Sequence, residues 1–381
     1  MSGSAERPRR TRLNALRIRR MVAKEFRQLF RDPKTKRIIF ASPIIQLLAF
    51  GYAVNTDVRN VATVVVDHDH SVESRALLDA FTASGYFRIV ERSDRASAIG
   101  EALDHGRAVV GLEIPAGYSA DLKARRSPAV QLLGDGTSSN TATVAQGYAA
   151  EIVQAHGAGL AASLGVRPTG VDLCTRAWFN PSLESRVYNV PAVIGVIVLM
   201  MCLMLTALGI VREREVGTLE QLLVSPLSAE ELILGKTIPV AGIALLQITV
   251  VTAVALLWFG IPVTGSVATL LLAAVFFILA GLSVGVYIST ISATQQEAFL
   301  SMYMFFLPAI ILSGFLYPVH TMPEAFELIT WLNPLRHFLD VVRAVFLKSA
   351  GLPDVWISIA ILMAMAVAGL TFATRRFRET L

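Results

Sequence analysis

Charge is missing from long tracts of this sequence. No Asp, Glu, Lys or Arg occurs in residues 38–56, 187–211, 237–296, 298–323 or 355–374. A hydrocarbon layer about 30 Å thick takes roughly 20 apolar helical residues to cross, so every tract can hold a crossing and the longest must hold two. With 54% hydrophobic residues, 17% charged residues and a mean hydropathy of +0.57, an ordinary soluble enzyme is excluded. Cysteine is nearly absent too. Cys174 lies outside the apolar tracts and Cys202 inside one, which argues against a disulfide framework or a cysteine metal site. The tracts hold no carboxylate, against a proton or ion pump built on buried carboxylates. A nucleotide loop is also lacking. Gly235-Lys236-Thr237 has the ending of one, but the glycine required five positions before Gly235 is replaced by Glu230. Any ATP dependence has to come from a partner.

The long tract breaks at Gly260-Ile261-Pro262 and Gly265-Ser266, which suit a short turn. Six spans result, at about 38–56, 187–211, 238–259, 267–291, 298–318 and 355–374, with Pro308 expected to kink the fifth. The net charge of +5 is uneven: residues 1–37 carry +10 and the remainder −5. That basic head marks a cytoplasmic end rather than a nucleic-acid patch, and Arg375, Arg376 and Arg378 mark the other terminus likewise. Six spans with both termini inside are consistent. They place 212–236 and 292–297 in the cytoplasm, and 57–186, the turn near 260 and 319–354 outside. The head is too long for a signal peptide, no cleavage site follows its apolar run, and Arg9-Arg10 and Arg19-Arg20 lack the rest of a twin-arginine signal.

Ahead of the first span, Ala15, Ile18, Val22, Phe26 and Leu29 recur at helical spacing with basic residues largely off that line. This predicts a basic amphipathic helix in the cytoplasmic interface, ended by Asp32-Pro33. Residues 57–186 are soluble in composition. Strands are predicted at Val61 to Val66, Phe87 to Val90, Ala108 to Ile114 and Ala129 to Leu133. Helices are predicted at Ser71 to Ser84, Arg92 to Asp104, Tyr118 to Arg125 and Thr141 to His156, with a return linker over 165–186. The fold class expected is therefore an α-helical polytopic membrane protein of six transmembrane helices with an inserted extracytoplasmic α/β domain.

Asp67-His68-Asp69-His70 has the composition of a metal cluster, but consecutive side chains on a turn diverge and Ser71 is a ready helix cap, so a strand-to-helix turn is expected. Gly134-Asp135-Gly136-Thr137 is expected to be a turn as well. Gly281 and Gly285 form a small-xxx-small pair suited to close helix approach, or are incidental lipid-facing glycines. In Arg212-Glu213-Arg214-Glu215-Val216-Gly217-Thr218-Leu219-Glu220-Gln221-Leu222-Leu223, Leu219, Leu222 and Leu223 share a face of a short amphipathic helix that ends at Pro226. Such a helix can pack on headgroups or dock into a cleft on another protein. Residues 319–354 are too interrupted to cross; two short re-entrant or interfacial helices are expected there, with Trp331, His337, Arg343 and Lys348 at headgroup level.

Five segments together carry a family resemblance: Lys24-Glu25-Phe26-Arg27-Gln28-Leu29-Phe30-Arg31-Asp32-Pro33, Phe50-Gly51-Tyr52-Ala53, Glu215 to Pro226, Leu312-Ser313-Gly314-Phe315, and Asn333-Pro334-Leu335-Arg336-His337-Phe338-Leu339-Asp340. The chain resembles the membrane subunit of bacterial ABC-2 type exporters, and within them the drug-efflux permeases with a large periplasmic insert. The resemblance implies an inner-membrane permease that dimerises, with itself or with a similar permease, and binds two cytoplasmic ATPase subunits. The ATPases would hold ATP and Mg, and this chain would bind no cofactor of its own. Lys24, Glu25, Phe26, Leu29 and Asp32 of the interfacial helix, and a coupling helix over 212–226, would contact the ATPase. The second and fifth spans would line the route, and the external domain could receive substrate or dock a periplasmic adaptor. Membrane lipids are a further expected partner and nucleic acid is not. The expected cargo is an amphipathic drug-like compound. The alternatives are a lipid, polymer or metal-linked substrate, or a membrane sensor with an external ligand-binding domain.

Overall fold

The computed structural model describes residues 14–31, 33–53, 60–124, 126, 128–136, 139–163, 184–218 and 228–380. Asp32, residues 1–13, most of the return linker and the coupling-segment residues Leu219, Glu220, Leu222 and Leu223 lie outside the described residues. The chain divides into two units, Thr56–Arg176 and the combination of Met1–Asn55 with Ala177–Leu381.

The larger unit is helical among its described residues. It contains α1 (Ala15–Arg31), α2 (Pro33–Ala53), α7 (Ser185–Glu215), α8 (Ala229–Leu257), α9 (Val267–Ile291), α10 (Gln295–Ile311), α11 (Glu324–Thr330), α12 (Pro334–Leu347) and α13 (Leu352–Thr380). Several starts carry a side-chain cap. Ser228 accepts from Glu231 N in a full capping box, Ser266 from Thr269 N, Thr294 from Glu297 N and Asn333 from Leu335 N.

Helix α7 is the axis of this unit. Val190 through Leu199 are all buried, so the helix is apolar on every side and must be surrounded. The helices α2, α8, α9, α10 and α12 pack around it. Small residues set the closest approaches. A Cβ on Gly285 would lie 2.8 Å from Thr206 Cβ, and one on Gly281 would lie 3.3 Å from Cys202 Cβ, so the glycine pair of α9 serves packing against α7 within this chain. Gly195 admits Phe338 and Leu339 of α12 in the same way, and Phe338 stacks on Phe277 of α9 with centroids 4.2 Å apart and planes 1° off parallel. Outer faces keep large apolar side chains exposed, such as Leu257 at 88% and Met304 at 82%, as suits helices solvated by lipid.

Among the described residues, four helices, α7, α8, α9 and α13, are long and apolar enough to cross a membrane. One of the six predicted spans, the fifth, is shorter than expected, and residues 54–56 of the first lie outside the described residues. The described apolar part of α2 is Ile39–Tyr52, and α10 has 17 residues and stops at Ile311 instead of reaching 318. Pro308 lies in its last turn, so it precedes the helix end rather than kinking a longer span. The headgroup-level placement expected in this region also needs correction. Two short helices are present, α11 and α12, but α12 is a core helix: Leu335, Phe338, Leu339, Val341, Val342 and Val345 are each 0% exposed. His337 is buried as well and is not at a headgroup surface, whereas Trp331 and Lys348 are exposed.

The smaller unit is an α/β layer structure built from β1 (Val61–Asp67), α3 (Val72–Ala83), β2 (Phe87–Ser93), α4 (Ser97–Asp104), β3 (Val110–Ile114), α5 (Tyr118–Lys123), β4 (Gln131–Gly134) and α6 (Ser139–Ser163). The strand order is β2-β1-β3-β4, with β4 antiparallel to β3 and the other pairs parallel. Val65 joins Leu77, Phe81 and Ala145 on one face, while Val64 and Val66 meet Ile99 and Ala102 of α4 on the other. A strand covered on both faces reads as a continuous apolar run, which is why β1 lacks alternation. Two predicted helices have different limits. Glu91, Arg92 and Ser93 extend β2 by pairing with Val64, Val65 and Val66 after a register shift, so α4 starts at Ser97 and not at Arg92. Helix α6 reaches Ser163, past His156.

The Asp67 to His70 segment is a turn whose side chains separate. Asp67 Oδ1 accepts from the Asp69 and His70 amides, and its Oδ2 accepts from Ser74 Oγ at 2.7 Å. Asp69 accepts from Gly117 N at 2.9 Å and Ser119 N at 3.0 Å, at the start of α5. Burial raises the Asp69 carboxyl, but the Ser71 and Ser119 hydroxyls and the Ser119 and Gly117 amides outweigh it and leave its pKa lowered.

Two outcomes follow. Gly285→Leu in α9 should lower the melting temperature of the solubilised protein, since overpacking costs about 1–3 kcal/mol. Gly209→Ala, with nothing within 4 Å of the added carbon, should not. Asp69→Ala should cost about 1 kcal/mol of protection at α5, read by hydrogen exchange of the full chain. Because the folded pKa lies below 3.8, that contribution is present above 3.8 and is lost as pH falls through the lowered value. The Ala variant should lack this acid-sensitive step.

Candidate functional site

Helix α1 presents Ile18, Met21, Val22, Glu25, Phe26 and Leu29 inward and Arg19, Arg20, Arg27 and Arg31 outward. It lies against α8, where glycines let it come close: Met21 occupies the place of a Cβ on Gly235, and Phe26 packs over Gly242. The N-termini of the two helices are joined by Glu231, which is 1% exposed. Its Oε1 accepts from Asn14 N at 2.7 Å and its Oε2 from Ser228 N at 3.0 Å, with Arg17 Nη1 3.9 Å away.

One helical turn further along, four charges from three helices form a closed ring. Glu25 Oε1 of α1 lies 2.9 Å from Lys24 Nζ and 3.5 Å from Lys236 Nζ of α8. Glu213 of α7 completes it, with Oε1 at 3.2 Å from Lys24 and Oε2 at 2.7 Å from Lys236, close but off the hydrogen-bonding direction. The side chains of Lys236, Glu213 and Glu25 are 7%, 10% and 12% exposed, while Lys24 is 43% exposed. Burial lowers the Lys24 pKa, but the hydrogen bond to Glu25 and the charges of Glu25 and Glu213 outweigh it and leave it raised. The ring borders a cleft of about 770 Å³ that also exposes Arg212 and Thr218.

Beyond Glu213 the last turn of α7 is fastened to its neighbours. Arg214 donates to the carbonyls of Ser289 and Ser292 at the end of α9, both at 3.0 Å. Glu215 Oε2 accepts from Gln295 Nε2 at 2.7 Å, at the start of α10. Gly217 has φ of +80°, a conformation that favours glycine, and Thr218 Oγ1 donates to Glu213 O. The predicted coupling helix is corrected accordingly. Arg212 to Glu215 are the last turn of α7, and the break comes at Gly217 rather than before Arg212.

The motif near 333 sits elsewhere in the helical unit, and its roles are chiefly structural. Asn333 caps α12 and donates from Nδ2 to Ala309 O of α10 at 2.7 Å; Pro334 occupies the first turn and Leu335 is buried. Arg336 donates to Thr330 Oγ1 and Glu327 O and lies over the Trp331 ring. Arg343 donates to Gly314 O at 2.9 Å and lies 4.1 Å over the Tyr188 ring of α7. Asp340 is exposed and, among the described residues, has no hydrogen-bond or ion-pair partner.

Sequence reasoning placed Lys24, Glu25, Arg212 and Glu213 but did not bring them together, and it treated Lys236 only as part of a false nucleotide motif. A signal was present. Glu25 is a charge on the apolar line of α1, and Lys236 is the last charge before the longest charge-free tract.

Removing one partner from a buried ionic cluster costs roughly 3–5 kcal/mol, because the partners left behind are buried and uncompensated. Lys236→Met should therefore lower the melting temperature sharply, and Glu213→Gln in the same chain should recover part of the loss. Effects that simply add, within about 0.5 kcal/mol as for independent sites, would show that the ring is not a coupled unit.

A model of the ABC-2 family transporter proteins matches residues 37–375. The chain is 33% identical over 359 residues to a probable multidrug ABC transporter permease, YbhR, of Escherichia coli strain K12, covering 94% of this chain and 97% of that protein. It is 30% identical over 369 residues to YbhS of the same strain, described in the same words, covering 95% and 97%. Identity to the inner membrane transport permease YhhJ of that strain is 28% over 363 residues, covering 94% and 96%. A polytopic helical chain matched along nearly its whole length belongs to the ABC-2 family of transporter permeases.

Proposed function

We propose that this chain is the membrane subunit of an ATP-driven exporter of amphipathic drug-like compounds. The observation that carries this reading is the ionic ring of Lys24, Glu25, Glu213 and Lys236. It locks together α1, α7 and α8 at the start of the 212–226 segment, where a cytoplasmic ATPase has to transmit force. In the proposed arrangement six spans run with both termini in the cytoplasm, α10 being a short one, and the α/β unit faces outside. Two such chains, or this chain and a similar permease, pair in the membrane and receive two ATPase subunits. ATP and Mg reside in those subunits. An ATPase moves a permease only through contacts that differ between its states, and a segment anchored to three helices passes such a difference into the bundle. The drug-like cargo accords with the multidrug descriptions of YbhR and YbhS. The external α/β unit would receive substrate or hold an adaptor.

The test uses the chain expressed with its neighbouring ATPase. Gly217→Pro cannot adopt the φ of +80°, since proline is held near −65°. It should abolish substrate-stimulated ATP hydrolysis while leaving insertion and ATPase recovery intact. Drug accumulation in cells should rise on deletion of the unsubstituted gene. Unchanged transport by the Pro variant sinks the coupling role, and failure to recover any ATPase from mild detergent favours a membrane sensor instead.

A further inference from the structure

The ionic ring, the helix caps and hydroxyls bonded to carbonyls of their own helices account for most polar side chains buried in the helical unit, but not for Gln247. This residue lies in the apolar middle of α8 and is 5% exposed. Both its Oε1 and its Nε2 are buried and lack a hydrogen-bond partner among the described residues. Such a group is retained inside an apolar bundle only against a desolvation penalty, so a partner of matching chemistry is expected. The opposite helix offers one. Pro43 lies inside α2 and has no N–H, so the carbonyl of Ile39, four residues earlier, loses its helical donor. Ile39, Pro43 and Gln247 line a single pocket whose space is about 10 Å³. That is on the order of the room one water molecule requires.

We propose that this pocket is a binding site for one water molecule, which accepts a hydrogen bond from Gln247 Nε2 and donates one to the Ile39 carbonyl. Gln247 presents a donor and an acceptor, so the amide serves the site with either end turned inward. The remaining lining, including Phe40, Ile243, Leu246 and Val251, is apolar and directs the water to these two groups. A cation does not fit. The pocket supplies no carboxylate, and two neutral oxygens are far short of a coordination shell. The water makes the α2–α8 contact a compliant one. A bridged hydrogen bond tolerates changes of length and direction, so α2 can bend at Pro43 while the Ile39 carbonyl keeps a donor.

The test is a double-substitution cycle on the full chain in lipid nanodiscs, read by melting temperature. Gln247→Leu should lower it in the native background. Pro43→Ala restores an N–H to the Ile39 carbonyl, and in that background Gln247→Leu should leave the melting temperature unchanged or raise it. An equal loss in both backgrounds overturns the proposal. A cryo-EM map of the unsubstituted chain, at a detail that resolves ordered water, gives a reading independent of any variant. Density between Gln247 and Ile39 supports the site. A direct bond from Gln247 to the Ile39 carbonyl, or a pocket without density, overturns it.

Discussion

The structure of the helical unit depends on one constraint, that α7 be enclosed on all sides. A helix with ten consecutive buried residues cannot sit at the edge of a bundle, and every neighbour's position follows from covering it. The glycines of α9 and Gly195 of α7 permit contact at backbone distance, and Phe277 stacked on Phe338 fills the adjoining space. Lipid supplies no hydrophobic force to press helices together, so this close fit, with van der Waals contact along its length, holds the unit.

A second consequence concerns where polarity is allowed. The interior of the bundle is largely apolar: most of its buried hydroxyls bond within their own helix, Asn333 reaches across to α10, and Thr206 and Gln247 have no side-chain partner among the described residues. The charges gather where α1, α7 and α8 meet. There each lysine lies between two glutamates, and each glutamate between two lysines. An alternating ring offsets much of the cost of taking its members out of water, which a lone pair at the same burial does less well. It also ties the three helices together: withdrawing α7 or α8 would leave a charge without its counterpart, whereas α1 contributes one charge of each sign.

Much of this was legible in the residues. Charge-free tracts located the apolar helices, whereas the caps at Ser228, Ser266, Thr294 and Asn333 were seen only in the structure. The β-branched run at Val61 to Val66 identified the first strand of the α/β unit. The failures have physical reasons. Register between strands is non-local, so the pairing that extends β2 to Ser93 could not be read from Arg92 itself. Helix α12 carries enough polar residues to look interfacial, but they lie along one side while Leu335, Phe338, Val342 and Phe346 lie along the other, and tertiary packing decides which side counts. The ring was missed because its members are distant in sequence and only the fold brings them together.

Glu231 couples two helix beginnings through one carboxylate. Each helix N-terminus carries the equivalent of about half a positive charge, so α1 and α8 starting side by side would repel. The carboxylate between them accepts the first described amide of one and the capping amide of the other, and so neutralises both ends at once. A tug on the amino-terminal end of α1 is therefore also a tug on the first turn of α8. Strain applied there has two ways to relax: by fraying both helices together, or by travelling intact along α8 into the membrane.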